Sequence, residues 1–321
     1  MLPVSAVRPL LQYFDSMDSL VAERLTRKRP WGEPALTSLL CDLLDEDTCD
    51  DYPSAYGLSR LQQELQRTVP LLNFDCTIQT HEYPPNVERW VTQSDLGLIV
   101  QVNDYLVPDN NREGACLLQA KRLYPVPGTG GYSSDCRYGG HDAEQQRRAQ
   151  AINQLLGHDL IKYLLYCPRP DALPARDAAT LRHVRDSQLA NDLHDGPDGL
   201  ELHAMLQQGS PRLDAGIIVS PIDAIPATLR ATYEGLFQEQ LPWSWFLTWW
   251  IVGLLNRGPD MVTKRDRSDS LAFQLAAGNS RAVAHLEKRK ALDTSDSLAG
   301  ARFRILPAHT LTITATVDSE R

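Results

Sequence analysis

The sequence predicts an α/β fold in which helices flank a mixed central sheet. Three observations carry that prediction. LLNFDCTIQTHEY (71–83), WVTQSDLGLIVQVND (90–104) and ACLLQAKRLY (115–124) follow one another, alternating or nearly continuous in apolar residues, as strands do. Segments with apolar residues at helical spacing precede them at 32–47 and 57–68 and follow them at 141–159. A further short apolar strand, KYLLYCP (162–168), comes after that last helix.

Each element has a local reason. Residues 1–29 form an amphipathic pattern ending in a basic cluster, Arg24, Arg27, Lys28 and Arg29, and Pro30 breaks it. The cluster reads either as a solvated helix end or as a DNA contact. GEPALTSLLCDLLDED (32–47) places Leu36, Leu39, Leu40, Leu43 and Leu44 on one side of a helix, with Glu33 in its first turn, where the helix dipole favours an acid. In 57–68, Gly57 and Ser59 serve as start signals. DYLVPDNNREG (104–114) is dense in turn formers and predicts a long hairpin loop that makes its flanking strands antiparallel neighbours. The loop PVPGTGGYSSDCRYGG (125–140) is rich in Gly and Pro and is expected to be mobile; it lacks the Lys-Ser/Thr pair of a phosphate-cradling loop. Beyond 170 come a polar helix near 175–193, a short strand GIIVSP (216–221), a Trp-rich helix at 243–255, and a closing strand TLTITATV (310–317). The expected organisation is an N-terminal helix at 1–31, a core at 32–170, and a mostly helical extension at 171–321 packed on that core.

Composition excludes more than it selects. The 321 residues suffice for one large core or two modest ones, and 42% hydrophobic with 23% charged residues is an ordinary globular balance. A net charge of −9 argues against a protein that coats DNA, though not against an enzyme meeting DNA in a local basic groove. The six cysteines form no C-x-x-C pair, so the expectation is a reduced, cytoplasmic protein without structural zinc. The first residues do not read as a secretory signal. WSWFLTWWIVGLL is too short to span a bilayer and reads as a buried helix or a subunit interface.

The chemistry concentrates on two strands. Gln119 and Lys121 share one face of the third strand, and Asp95 stands at the start of the second. Across an antiparallel hairpin an acid, an amide and an ammonium then converge at one edge of an apolar sheet. One explanation is a structural Asp–Lys ion pair. The other is a magnesium site, since Mg²⁺ takes hard oxygen ligands and often uses only one or two carboxylates. Asp95 would then be the main ligand, with the Ala120 carbonyl and the Gln119 side-chain oxygen beside it, and Lys121 would orient the attacking water and stabilise developing charge.

An acid on the second strand and Gln-x-Lys on the third, after a helix bearing a glutamate, resembles the PD-(D/E)xK nuclease superfamily. The resemblance spans about 32–168 and rests on Asp95, Gln119, Lys121 and the order of elements. It departs from the usual pattern at Gln119, where Glu or Asp is usual, and at Ser94, where Pro is common. It implies a restriction-endonuclease-like core and a metal-dependent endonuclease cutting DNA, with Mg²⁺, replaceable by Mn²⁺, as cofactor. Phage or foreign-DNA defence, with partner proteins of a defence system, is the implied setting. A repair or recombination nuclease, an inactive nuclease-fold binding protein, and a plain interaction protein are the alternatives. A first-helix glutamate often completes the superfamily's metal site; Glu33 is preferred over Glu64. Some relatives bring a glutamine from the following helix to the site, which nominates Gln150 and Gln154 on the face shared with Gln146, with Arg147 as a phosphate contact. The basic stretches at 264–267 and 287–290 are further phosphate candidates. Paired cuts in duplex DNA would favour a homodimer, for which the Trp-rich helix is the one signal.

Overall fold

The computed structural model describes residues 4–52, 56–68, 72–82, 94–139, 143–192, 204–223, 225–253, 259–263, 269–279, 281–282 and 306–319. The basic stretches at 264–267 and 287–290 lie outside them.

A mixed sheet forms the centre. Its strands are β1 (Leu72–Glu82), β2 (Leu96–Asp104), β3 (Arg112–Arg122), β4 (Ile161–Tyr166), β5 (Ile217–Pro221), β6 (Leu241–Pro242), β7 (Val262–Thr263) and β8 (His309–Ser319). The spatial order is β1-β8-β2-β3-β4-β5-β6, with β7 pairing β3 off this path. β2 and β3 are antiparallel, β3 and β4 parallel, and β4 and β5 antiparallel. β8 lies antiparallel to β1 and parallel to β2.

This order corrects the expected organisation. Residues 171–321 are not an extension packed outside a finished core. β8 is inserted between β1 and β2, and β5 and β6 lengthen the opposite side of the sheet. The alternation of β8 is a sheet-member pattern with Leu311, Ile313, Ala315 and Val317 all buried. It supplies the partner without which β1 and β2 would each present an open edge.

Eight helices are named here: α1 (Val7–Leu25), α2 (Glu33–Leu44), α3 (Leu58–Thr68), α4 (Ala143–Leu156), α5 (Ala175–Asp192), α6 (Leu229–Glu234), α7 (Trp243–Val252) and α8 (Asp269–Ala276). Two glycines identify the layers. A Cβ on Gly114 would enter the ring of Trp250 on α7, and one on Gly97 would stand 2.0 Å from the Ala276 carbonyl at the end of α8. Gly114 pairs with Val100, three residues from Gly97, so the two helices lie on opposite faces. α1, α2 and α7 pack together on one face; α4 and α8 lie on the other.

The N-terminal helix is core and no appendage. Leu10, Leu11, Phe14, Met17 and Val21 are buried, and Asp18 accepts the Gly216 and Ile217 amides and the Arg169 guanidinium. All ten residues of α7 are buried, as an all-round apolar helix requires. That makes the Trp-rich helix a buried helix and removes it as a subunit interface. No helix of the described residues is long and apolar enough to cross a membrane. The loop expected to be mobile is tied down instead. Ser134 donates from its amide and hydroxyl to Asp177 of α5, the Leu229 amide of α6 donates to the Cys136 carbonyl, and Tyr132 donates to the Leu25 carbonyl of α1.

Candidate active site

The site forms where β2 stops and β3 continues past it. The last ladder bond between them runs from the Asp95 amide to the Leu118 carbonyl at 2.8 Å. Beyond it, the Ala120 and Arg122 amides of β3 face an edge along which no strand of the described residues runs. Two carboxylates take them in turn. Asp95 Oδ2 accepts the Ala120 N–H at 2.8 Å, and Glu33 Oε1 accepts the Arg122 N–H at 3.0 Å. The two amides are roughly 7 Å apart along the strand. In a strand, a residue's C=O and N–H point to the same side, so the Ala120 carbonyl opens toward this edge between the two acids.

Glu33 reaches the edge because α2 is pinned. Thr37, one turn further on, shares a 3.0 Å hydrogen bond with the Tyr166 hydroxyl of β4 and donates to the Glu33 carbonyl. Burial holds the Tyr166 hydroxyl well above its usual pKa, so it stays protonated at physiological pH. Glu64 is placed elsewhere: on α3, which packs on β1, it accepts from Arg60 of the same helix and from Tyr56 just before it.

On the α4 side of the sheet a chain of side chains connects the lysine to the acid. Lys121 Nζ donates to Gln145 Oε1 at 2.9 Å, Gln145 Nε2 donates to Gln119 Oε1 at 2.9 Å, and Gln119 Nε2 donates to Asp95 Oδ2 at 2.5 Å. The direction of this chain is forced. An ammonium can only donate and a carboxylate only accept, so each amide must turn its oxygen toward the lysine end and its NH₂ toward the acid. Lys121 and Gln119 are each only 6% exposed, so the network sits where its bonds are strong and its losses costly. Asp95 and Lys121 are therefore joined through two glutamines.

Gln145 was missed in favour of its neighbours. Gln146 donates to the Ile222 carbonyl, Gln150 bonds Asp223, Gln154 is exposed, and Arg147 is exposed and bonds its own helix at Ala143. The described hydrogen bonds of Gln146, Gln150 and Arg147 all lead to partners other than Asp95 and Lys121. The signal that finds Gln145 is the apolar stripe of the helix. Ala149 and Ile152 are buried and Leu156 packs on the core, and Gln145 continues that stripe one turn earlier.

The donor set is oxygen-rich: two carboxylates, one backbone carbonyl and amide side chains. Among the described residues no group of three or more His, Cys, Asp or Glu is arranged to hold a metal ion. Neither a family model, nor a curated protein, nor a solved structure matches this chain.

Proposed function

We propose that this protein is a metal-dependent endonuclease that hydrolyses DNA phosphodiester bonds, built on a restriction-endonuclease-like core. One observation carries the reading. Asp95 and Glu33 occupy alternate amides of a strand edge, the Ala120 carbonyl opens between them, and the adjacent Lys121 is linked to Asp95 through Gln145 and Gln119.

These residues fit a hard divalent cation. Mg²⁺ is commonly held by one or two carboxylates, with waters and substrate phosphate completing its shell. Asp95, Glu33 and the Ala120 carbonyl would hold it; Gln119 could join only by turning its oxygen away from Gln145. When bound, it would supply Lewis acidity and a lowered pKa for the attacking water.

The chain's own residues supply the rest. Lys121 has three N–H donors, of which one is committed to Gln145. The others are available for the non-bridging phosphate oxygens and the attacking water, where they stabilise charge as it develops. Gln145 and Gln119 hold the ammonium in place without neutralising it, which a direct carboxylate partner would do. Asp95 and Glu33, by taking the β3 amides, keep that edge straight and its carbonyl presented.

A second reading is an inactive nuclease-fold protein that binds nucleic acid or a partner protein without cutting. The engagement of Gln119 Oε1 by Gln145 favours it, because among the described residues this leaves the edge with two carboxylates and turns the Gln119 oxygen away from it. Defence against phage or foreign DNA, like the repair alternative, rests on the resemblance alone.

The test is cleavage of supercoiled and linear DNA with Mg²⁺ or Mn²⁺ against EDTA, using wild type, Asp95→Asn and Glu33→Gln. The reading expects metal-dependent cutting that falls at least a hundredfold, about 2.7 kcal/mol, in both isosteric variants while their melting temperatures hold. Mg²⁺ alone should also raise the wild-type Tm, by mass action, and leave Asp95→Asn unmoved. Absence of cutting together with absence of a Mg²⁺-induced shift selects the second reading.

A further inference from the structure

Past Lys121 the chain leaves the sheet and folds back across its end. Leu123 bridges Tyr138, the Tyr124 amide donates to the Arg137 carbonyl at 3.1 Å, and the Gly139 amide returns to the Arg122 carbonyl at 3.1 Å. The fold-back encloses an open cavity of about 390 Å³ lined by Tyr124, Pro125, Val126, Pro127, Cys136 and Arg137, among others. That volume lies at the lower end of the range for small-ligand sites.

The surroundings are apolar and cationic together. Large exposed hydrophobic side chains gather in two places among the described residues. One is the β2–β3 loop; the other comprises Trp31, Tyr124 and Val126, which are 36%, 45% and 36% exposed. Each of these two rings carries a guanidinium. Arg24 lies 5.7 Å over the Trp31 ring and Arg122 lies 4.3 Å over the Tyr124 ring. Arg122 also donates to the Trp31 carbonyl at 2.9 Å, so the two stacks are contiguous. Tyr124 is held in place because Gly139 has no Cβ; one there would stand 2.0 Å from the ring. Arg27, Lys28, Arg29 and Arg137 are exposed around this surface. Nearby acids are fewer: Glu23, which pairs with Arg24 and Arg27, Asp135 on the cavity wall, Asp177, which accepts from Ser134 behind it, and Glu33 at the strand edge. A cationic patch of this density runs against the chain's net charge of −9.

We propose that the cavity, with the Tyr124–Arg122 stack at its wall and the Trp31–Arg24 stack joined to it through Arg122, binds an unpaired nucleotide, so that the strand reaching Lys121 is single-stranded or locally opened. Aromatic and guanidinium faces grip a base only when it has left its own stack, and the surrounding cations follow its phosphates. Tyr124 lies three residues beyond Lys121, about 10 Å along the chain, so one strand can reach both. The role of Lys121 in this statement rests on the nuclease reading; binding of the strand does not.

The experiment is fluorescence anisotropy of the whole protein in EDTA with labelled oligothymidylate, a matched duplex and polyglutamate as probes. Wild type should prefer oligothymidylate to both others. Trp31→Leu and Tyr124→Leu, which keep an apolar side chain but remove the ring face, should each weaken oligothymidylate binding roughly tenfold and leave duplex binding unchanged. Lys28→Ala combined with Arg29→Ala should weaken both nucleic acids and lower the single-strand salt slope by about 1.4. Melting curves matching wild type are required of every variant; where Tyr124→Leu melts early, Trp31→Leu decides. Equal binding of polyglutamate, or ring variants with unchanged oligothymidylate affinity, overturns the proposal. Single-strand binding without any cutting would leave this inference standing and remove the nuclease reading. Metal-dependent cutting with no ring dependence of binding would do the reverse.

Discussion

Lys121→Met separates a lysine kept for chemistry from one kept for stability. The residue is 6% exposed and its ammonium donates to Gln145 Oε1. Methionine preserves the length and most of the volume of the stem but removes the charge. The change forfeits one charge-assisted hydrogen bond, about 1.5–3 kcal/mol net. It also removes the cost of holding an ammonium away from water, which is several kcal/mol before its bonds are counted. Half-buried Gln145 can find water for its oxygen, so the two effects cancel to within about 1.5 kcal/mol. At about 2 °C per kcal/mol for a chain of this size, the Tm should stay within about 3 °C of wild type. Lys121→Ala differs because it also deletes roughly three methylene equivalents at about 0.8 kcal/mol each, so its Tm should fall by about 5 °C or more. Cleavage should drop at least a hundredfold in both variants, as when a preorganised charge-stabilising donor is removed. The assay is thermal melting alongside plasmid cleavage with Mg²⁺. A methionine variant that still cuts within a few-fold of wild type, or that melts far below it, would refute the reasoning.

Gln145→Leu should lower kcat by roughly tenfold to a hundredfold with KM little changed, because Lys121 loses its anchor, and steady-state kinetics reads both parameters. Gly97→Ala should destabilise by about 3 kcal/mol, since its Cβ would meet the Ala276 backbone and nothing flexible can yield; chemical denaturation measures it. The Ser134 hydroxyl and amide bonded to Asp177 hold that carboxyl below its usual 3.8. A depressed carboxylate contributes stability that is present above 3.8 and lost as pH falls through the folded value. Ser134→Ala should therefore lower the Tm at neutral pH and flatten its decline on acidification, as melting curves across that range would show.

The hairpin part of the candidate site was legible because it is local. Turn formers at 104–114 make β2 and β3 antiparallel neighbours, and antiparallel pairing with period-two side chains sets Asp95 opposite Gln119, one pair beyond Leu96 and Leu118. The Leu-rich spacing of α2 likewise fixed Glu33 in a first turn. The glutamine was not legible from charge and polarity alone. Gln146, Gln150 and Gln154 make a tidy polar face, and a polar face is what a helix turns away from the sheet. The residue that reaches Lys121 sits on the apolar stripe, where a lone polar side chain is carried inward by its neighbours.

By itself the sequence determined β1 to β5, β8 and the helices α1 to α5 and α7, though not the short α6, α8, β6 and β7, and it placed an acid, an amide and a lysine on one hairpin. Tertiary structure alone decided that β8, more than two hundred residues beyond β2, completes the sheet beside it. It alone brought Glu33 to the Arg122 amide and tied the Gly- and Pro-rich loop over the end of β3. The reason is physical. Periodicity and turn chemistry are set by neighbours along the chain, whereas strand order and the amide each carboxylate finds are set by which open edges and apolar faces remain to be covered once the core has closed.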